Sequence, residues 1–96
     1  MPYKDAYHPR VKSDVKRLDK PVTRDVYNIH LDKILNAPYS GEKLYGDLEG
    51  VFSYHFRKSN VDYRIAYFID ETARVVHVVM IGKRENFYEI LRRRLS

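Results

Sequence analysis

Ninety-six residues make one domain spanning 1–96, and a 44% hydrophobic share is that of a folded chain, which excludes a disordered one. There is no cysteine, so disulfides and thiolate metal sites are excluded. The net charge of +5 is uneven: residues 1–50 hold nine basic and eight acidic side chains, residues 51–96 nine and five, and this one-sided excess points to a polyanion such as nucleic acid.

The opening MPYKDAYHPR has no apolar run of the kind a secretory signal needs, and no segment approaches bilayer-spanning length, so a soluble cytoplasmic protein with no membrane partner is expected. Tyr3, Asp5 and Tyr7 alternate with Lys4, Ala6 and His8, a weak strand pattern that ends at Pro9. Val11, Val15 and Leu18 then recur at helical spacing, while Lys12, Asp14, Lys16 and Arg17 fall off that stripe. After the break at LDKPV, with Asp19 as a candidate cap and Pro21 near the next helix start, a broad apolar band runs from Val22 to Leu35. Pro38 disfavours continuing it past Asn36, which gives a helical hairpin.

PYSGEKLYGDLEG reads as a loop anchored by Leu44 and Leu48. Three strands are predicted after it, near 51–57, 62–70 and 74–82, with turns at KSNVD and DETAR. RVVHVVMIG is almost continuously apolar and is therefore expected to be an interior strand covered on both faces. Asn86 is a candidate cap for a last short helix with Phe87, Ile90, Leu91 and Leu95 inward and Arg92, Arg93 and Arg94 outward. The predicted order is β-α-α-β-β-β-α, an α+β fold with a small twisted antiparallel sheet, an N-terminal helical hairpin and a short C-terminal helix.

SYHFRKSNVDYRIAYFID carries charge where a plain strand would carry valine or threonine. Setting Arg57 opposite Arg64 pairs Phe56 with Ile65, Tyr54 with Tyr67 and Phe52 with Ile69, so one face is uniformly apolar. A one-residue slip would bury Arg64 against Phe56. The chosen register gathers Ser53, His55, Arg57, Arg64, Ala66 and Phe68 on the other face, where the like charges of the two arginines repel unless an anion lies between them. Arginine offers a bidentate fork for phosphate, and histidine moves protons near neutrality. The same pattern also fits a solvated polar sheet face. GKRENFY adds Lys83 and Arg84 at a strand end and Tyr88 one helical turn on, an aromatic suited to stacking on a base. His8, His30, His55 and His77 show no metal-ligand spacing with a carboxylate partner, and His30 and His77 read as structural.

On HPRVKSDVKRLDK, ILNAPYSGEKLYGDLEG, SYHFRKSNVDYRIAYFID and VVMIGKRENFYEIL, the chain resembles the RelE/ParE superfamily of toxin–antitoxin toxins nearly end to end. The resemblance implies a sheet with a helical hairpin on one face and a cleft on the other. For the RelE branch it implies a ribosome-dependent ribonuclease that cuts messenger RNA in the A site and is silenced by a cognate antitoxin, with no metal or small-molecule cofactor. Arg64 of YRIAY, Arg84 of GKRENFY and Tyr88 match the family's two arginines and its tyrosine, while His55 and Arg57 stand where well-known members carry two lysines. The catalytic candidates are thus His55 for proton transfer, Arg57, Arg64 and Arg84 for charge stabilisation, and Tyr88 for the base; Lys58, Lys83 and Arg92 are candidates for the RNA backbone. Arginines beside His55 are expected to lower its pKa. Two alternatives stay open: a ParE-like inhibitor of DNA gyrase without nuclease activity, and an inactive member that only binds an antitoxin.

Overall fold

The computed structural model describes residues 2–96. In chain order they form β1 (Lys4–Tyr7), α1 (Val11–Lys16), α2 (Lys20–Asp25), a π-helical turn (Val26–His30) that runs on into α3 (Leu31–Asn36), β2 (Glu42–Lys43), β3 (Val51–Lys58), β4 (Val61–Asp70), β5 (Val75–Lys83) and α4 (Phe87–Leu95). Helical hairpin, three long strands and final helix all stand where the sequence places them. Asp19 and Asn86 occupy the N-cap positions of α2 and α4, but neither side chain makes a cap hydrogen bond; their carbonyls accept from the amides of Thr23 and Ile90. No helix among the described residues is long and apolar enough to cross a membrane.

The strands form one sheet in the order β1-β5-β4-β3-β2. β2, β3, β4 and β5 pair antiparallel, but β1 lies parallel to β5, with Lys4 beside Val75 and Tyr7 beside Val78. A purely antiparallel sheet is therefore not what forms. Patterning reveals which residues alternate, but it does not reveal which distant strand a four-residue edge segment joins or in which direction.

The β3–β4 register also differs from the expected one. Phe52 faces Tyr67, Tyr54 faces Ile65, Phe56 faces Tyr63, His55 faces Arg64 and Arg57 faces Asp62. The turn explains the two-residue offset. Lys58 pairs with Val61, and Ser59 and Asn60 between them have φ of 51° and 65°. Such a two-residue hairpin needs positive φ at both central residues. The expected register would have centred the turn on Asn60–Val61, and a β-branched valine resists that conformation. An offset of two preserves every facing, so the division into an apolar and a polar face stands.

The apolar face packs under the helices. Val11, Val22, Val26, Leu31 and Ile34 meet Phe52, Phe56, Tyr63, Ile65, Tyr67, Val76, Val78 and Ile81. A second cluster on the other face joins Leu48, Val51, Ala66, Val79, Met80, Phe87 and Leu91. β5 feeds both clusters, as its continuous apolar run predicts, and an irregularity opposite Ala66/Tyr67 lets Val79 and Met80 both serve the second one. Arg94 departs from the expected pattern. It is not turned outward but is buried against Asp14, whereas Ile90 and Leu95 are exposed. Asp14, off the apolar stripe of α1, is itself buried and accepts a hydrogen bond from the Ile81 amide.

Candidate active site

The turn at Ser59–Asn60 and the β4–β5 pairing decide which polar side chains meet. β3 sets His55 opposite Arg64 and Arg57 opposite Asp62, and β5 ends beside them with Gly82 opposite Arg64. The Arg84 amide then donates to the Asp62 carbonyl at 3.0 Å, which brings Arg84 to the same rim. An open cavity of about 390 Å³ results, lined by His55, Phe56, Arg57, Asp62, Tyr63, Arg64 and Arg84. The histidine and all three arginines singled out in the sequence share it.

Asp62 changes the electrostatics expected for this face. Arg57 does not lie across from another arginine; its Nε is 3.9 Å from Asp62 Oδ1, and Arg84 Nη1 is 3.7 Å from Oδ2. One carboxylate of the chain thus stands between two guanidiniums and offsets their repulsion. Both arginine side chains are more than 60% exposed. Ion pairs of this kind contribute about 0–1 kcal/mol, so neither guanidinium is committed to Asp62 when a phosphate arrives.

Tyr88, in the first turn of α4, completes the group from the side. Arg64 Cζ lies 4.9 Å from the centre of its ring, a cation–π contact, and its hydroxyl donates to Ser53 Oγ at 3.2 Å and lies 3.4 Å from His55 Nε2. His55 Nε2 is also 3.1 Å from Ser53 Oγ and 3.4 Å from Glu42 Oε1. Its pKa lies below the ordinary imidazole value. Partial burial is the larger cause and the Arg64 charge the next, with Glu42 and Asp62 opposing both. The direction agrees with the sequence reading, although desolvation outweighs the arginine. A neutral imidazole near pH 7 is competent as a base.

The other three cations singled out in the sequence lie elsewhere. Lys58 turns to Asp25 of α2 at 2.8 Å, Arg92 pairs with Asp47 at 3.1 Å, and Lys83 lines a separate cavity that includes Asp14, Arg17 and Arg94. The sequence reading placed Ser53 on this face without giving it a role, and it missed Asp62 and Glu42. Asp62 was within reach of it, because a turn on Ser59–Asn60 puts that residue opposite Arg57; Glu42 sits in what reads as a loop and gives no sign. No group of three His, Asp or Glu side chains among the described residues is placed to hold a metal ion.

A family model described as the ParE-like toxin of type II bacterial toxin-antitoxin systems matches residues 6–92. Among solved structures, the toxin–antitoxin complex RelBE2 of Mycobacterium tuberculosis superposes with a TM-score of 0.76 at 24% identity, over 88% of this chain and 100% of that one. A mutant of the E. coli toxin RelE in the free state gives 0.75 at 23% identity, over 96% and 94%. The intact E. coli RelBE toxin–antitoxin complex gives 0.70 at 25% identity, over 86% and 98%. No curated protein matches the sequence.

Proposed function

Because this chain belongs to the ParE-like toxins of type II bacterial toxin–antitoxin systems, we propose that it arrests translation by cutting messenger RNA, in the cytoplasm and in the ribosomal A site, until a cognate antitoxin silences it. The observation that carries this reading is the cavity in which His55, Arg57, Arg64 and Arg84 converge. Three guanidiniums around one half-exposed imidazole suit a phosphodiester in the act of gaining charge. Similarity to toxins solved with their antitoxins supports the protein partner.

The 2′-hydroxyl of the target nucleotide attacks its own 3′-phosphate. The bond from O2′ to phosphorus forms and the bond from phosphorus to O5′ breaks, leaving a 2′,3′-cyclic phosphate and a 5′-hydroxyl. His55 takes the 2′-hydroxyl proton, and water protonates the departing 5′ oxygen. Arg57, Arg64 and Arg84 stabilise the phosphorane. Arg57 and Arg64 are carried by β3 and β4, and the Arg84 backbone is held by its amide's bond to the Asp62 carbonyl, so their backbones need little rearrangement as charge grows. Tyr88 steadies Arg64 through its ring and reaches His55 through its hydroxyl.

The test compares the native chain with His55→Ala and Arg84→Ala for growth arrest and for message cleavage on purified ribosomes. Loss of the base should slow cleavage on the order of a hundred-fold or more. Full toxicity in both variants would place the chemistry outside this cavity. The ParE name of the matching family favours a second reading, inhibition of DNA gyrase by binding alone. A supercoiling assay run beside the cleavage assay decides between them.

A further inference from the structure

Glu42 reaches the site by a route that the chain fixes firmly. Its two-residue strand pairs with β3, setting Glu42 opposite Ser53, diagonal to His55. The approach to that strand is pinned from below. The Tyr67 hydroxyl donates to the Pro38 carbonyl at 2.7 Å, and Gly41 sits so close to the same hydroxyl that a Cβ there would collide with it. On the far side the Leu44 amide donates to the Val51 carbonyl at 2.9 Å, and Leu48 is buried in the second core cluster. The carboxylate delivered this way stands 3.4 Å from His55 Nε2.

His55 lines two hollows. One is the arginine cavity; the other is lined by Ser40, Gly41, Glu42, Ser53, Tyr54 and His55. Glu42 and Ser53, two of the three groups near Nε2, line only the second, and the third, the Tyr88 hydroxyl, lines neither. An ionised carboxylate accepts hydrogen bonds and cannot donate one, so Glu42 can hydrogen-bond the ring only when the nitrogen it faces carries the proton.

We propose that Glu42 is the positioning residue of His55: its carboxylate accepts the Nε2 hydrogen, shared with Ser53 Oγ, and leaves Nδ1 as the basic nitrogen. This deepens the ribonuclease reading and rests on it for the identity of the proton donor, the 2′-hydroxyl. The Nδ1 lone pair accepts that proton, the imidazolium formed is held by Glu42, and the proton passes afterwards to solvent. The charged and titratable groups facing the ring are Glu42 from β2, Asp62 and Arg64 from β4 and Tyr88 from α4. Glu42 opposes the downward pull that burial and Arg64 exert on the imidazole, so it keeps the base from becoming too weak.

The test needs no RNA in its first arm. Nitrogen–proton NMR on the full chain should show neutral His55 carrying its hydrogen on Nε2. Glu42→Gln should make His55 titrate at lower pH and raise the fraction carrying the hydrogen on Nδ1, since the amide can donate to Nε2. Glu42→Asp should restore part of the native behaviour. In the second arm, Glu42→Gln should lower maximal cleavage roughly ten-fold and move the acid limb of the pH profile to lower pH. His55 titrating identically in the native and Glu42→Gln chains, or native His55 protonated on Nδ1, overturns the proposal. If the NMR arm behaves as stated and neither chain cuts RNA, the hold of Glu42 on His55 stands and the ribonuclease reading falls.

Discussion

Asp14 and Arg94 form a two-pronged ion pair almost sealed from water, with Nη1–Oδ2 at 2.7 Å and Nη2–Oδ1 at 2.8 Å and side chains 3% and 7% exposed. The pair joins α1 to α4. Arg94 also donates to the Val79 carbonyl and Asp14 accepts from the Ile81 amide, so β5 is held by both partners. Removing one partner strands a buried charge, at a cost of about 3–5 kcal/mol, a large share of the stability of a domain this size. Arg94→Ala should therefore lower the urea midpoint sharply. Replacing both, as Asp14→Leu with Arg94→Met, should recover most of that loss but not all, because the Ile81 amide stays unpaired at about 1–3 kcal/mol. A double variant no more stable than the single one would show that the pair does not act as a unit.

His30 makes stability depend on pH. Its Nδ1 lies 2.7 Å from the Tyr54 hydroxyl and its ring stacks on Phe56 with centroids 4.0 Å apart. Burial, then Lys33, holds its pKa below the ordinary value of 6.5. A base weakened in the fold binds its proton more readily when unfolded. Stability is therefore complete above the unfolded value and falls as pH drops through the window beneath it. Urea unfolding should show a lower midpoint at about pH 5.5 than at about pH 7.5. His30→Gln, which cannot titrate, should flatten part of that slope; His55, shifted in the same direction, supplies the remainder.

The ring and the hydroxyl of Tyr88 have separable roles. The ring supports Arg64 from below, while the hydroxyl engages Ser53 and approaches His55. Tyr88→Phe should leave RNA affinity within two-fold of native while altering the His55 titration. Tyr88→Ala should weaken RNA binding several-fold, as loss of a cation–π contact worth about 0.5–1 kcal/mol implies. Equal affinities in the two variants would show that Arg64 does not depend on the ring.

Gly41 and Tyr67 should be coupled. A methyl group on Gly41 would run into the Tyr67 hydroxyl, which already donates to Pro38. Gly41→Ala should cost about 1–3 kcal/mol through overpacking. Tyr67→Phe alone should cost about 1 kcal/mol for the lost hydrogen bond. The double variant should be more stable than the sum of the two, because the colliding atom is gone; additivity in a double-mutant cycle would sink this account.

What the sequence made legible was whatever local periodicity controls. The apolar stripes gave both helices of the hairpin, and the alternation of Phe52, Tyr54 and Phe56 against His55 and Arg57 gave the two faces of β3. The unbroken run of β5 revealed a strand covered on both sides. Pairings over long separations were not legible. Asp14 and Arg94 each sit among polar neighbours, and no periodicity marks two charges that neutralise one another in the interior. The parallel docking of β1 left no trace in four alternating residues. The arginine cavity lies between these cases: its members were visible, but Asp62 among them depended on placing the turn one residue earlier.

The parallel seam between β1 and β5, from Lys4–Val75 to Tyr7–Val78, has a kinetic consequence. The β3–β4 hairpin closes over a two-residue turn and loses little chain entropy, whereas β1 must wait until most of the polypeptide between the partners has been ordered. Contacts made after the folding barrier govern how fast a structure comes apart, not how fast it forms. Weakening the seam, for example with Ala6→Pro, should quicken unfolding and leave the refolding limb of a chevron almost untouched. The first strand of this toxin thus sets the lifetime of the folded molecule, while its appearance is timed by the hairpins.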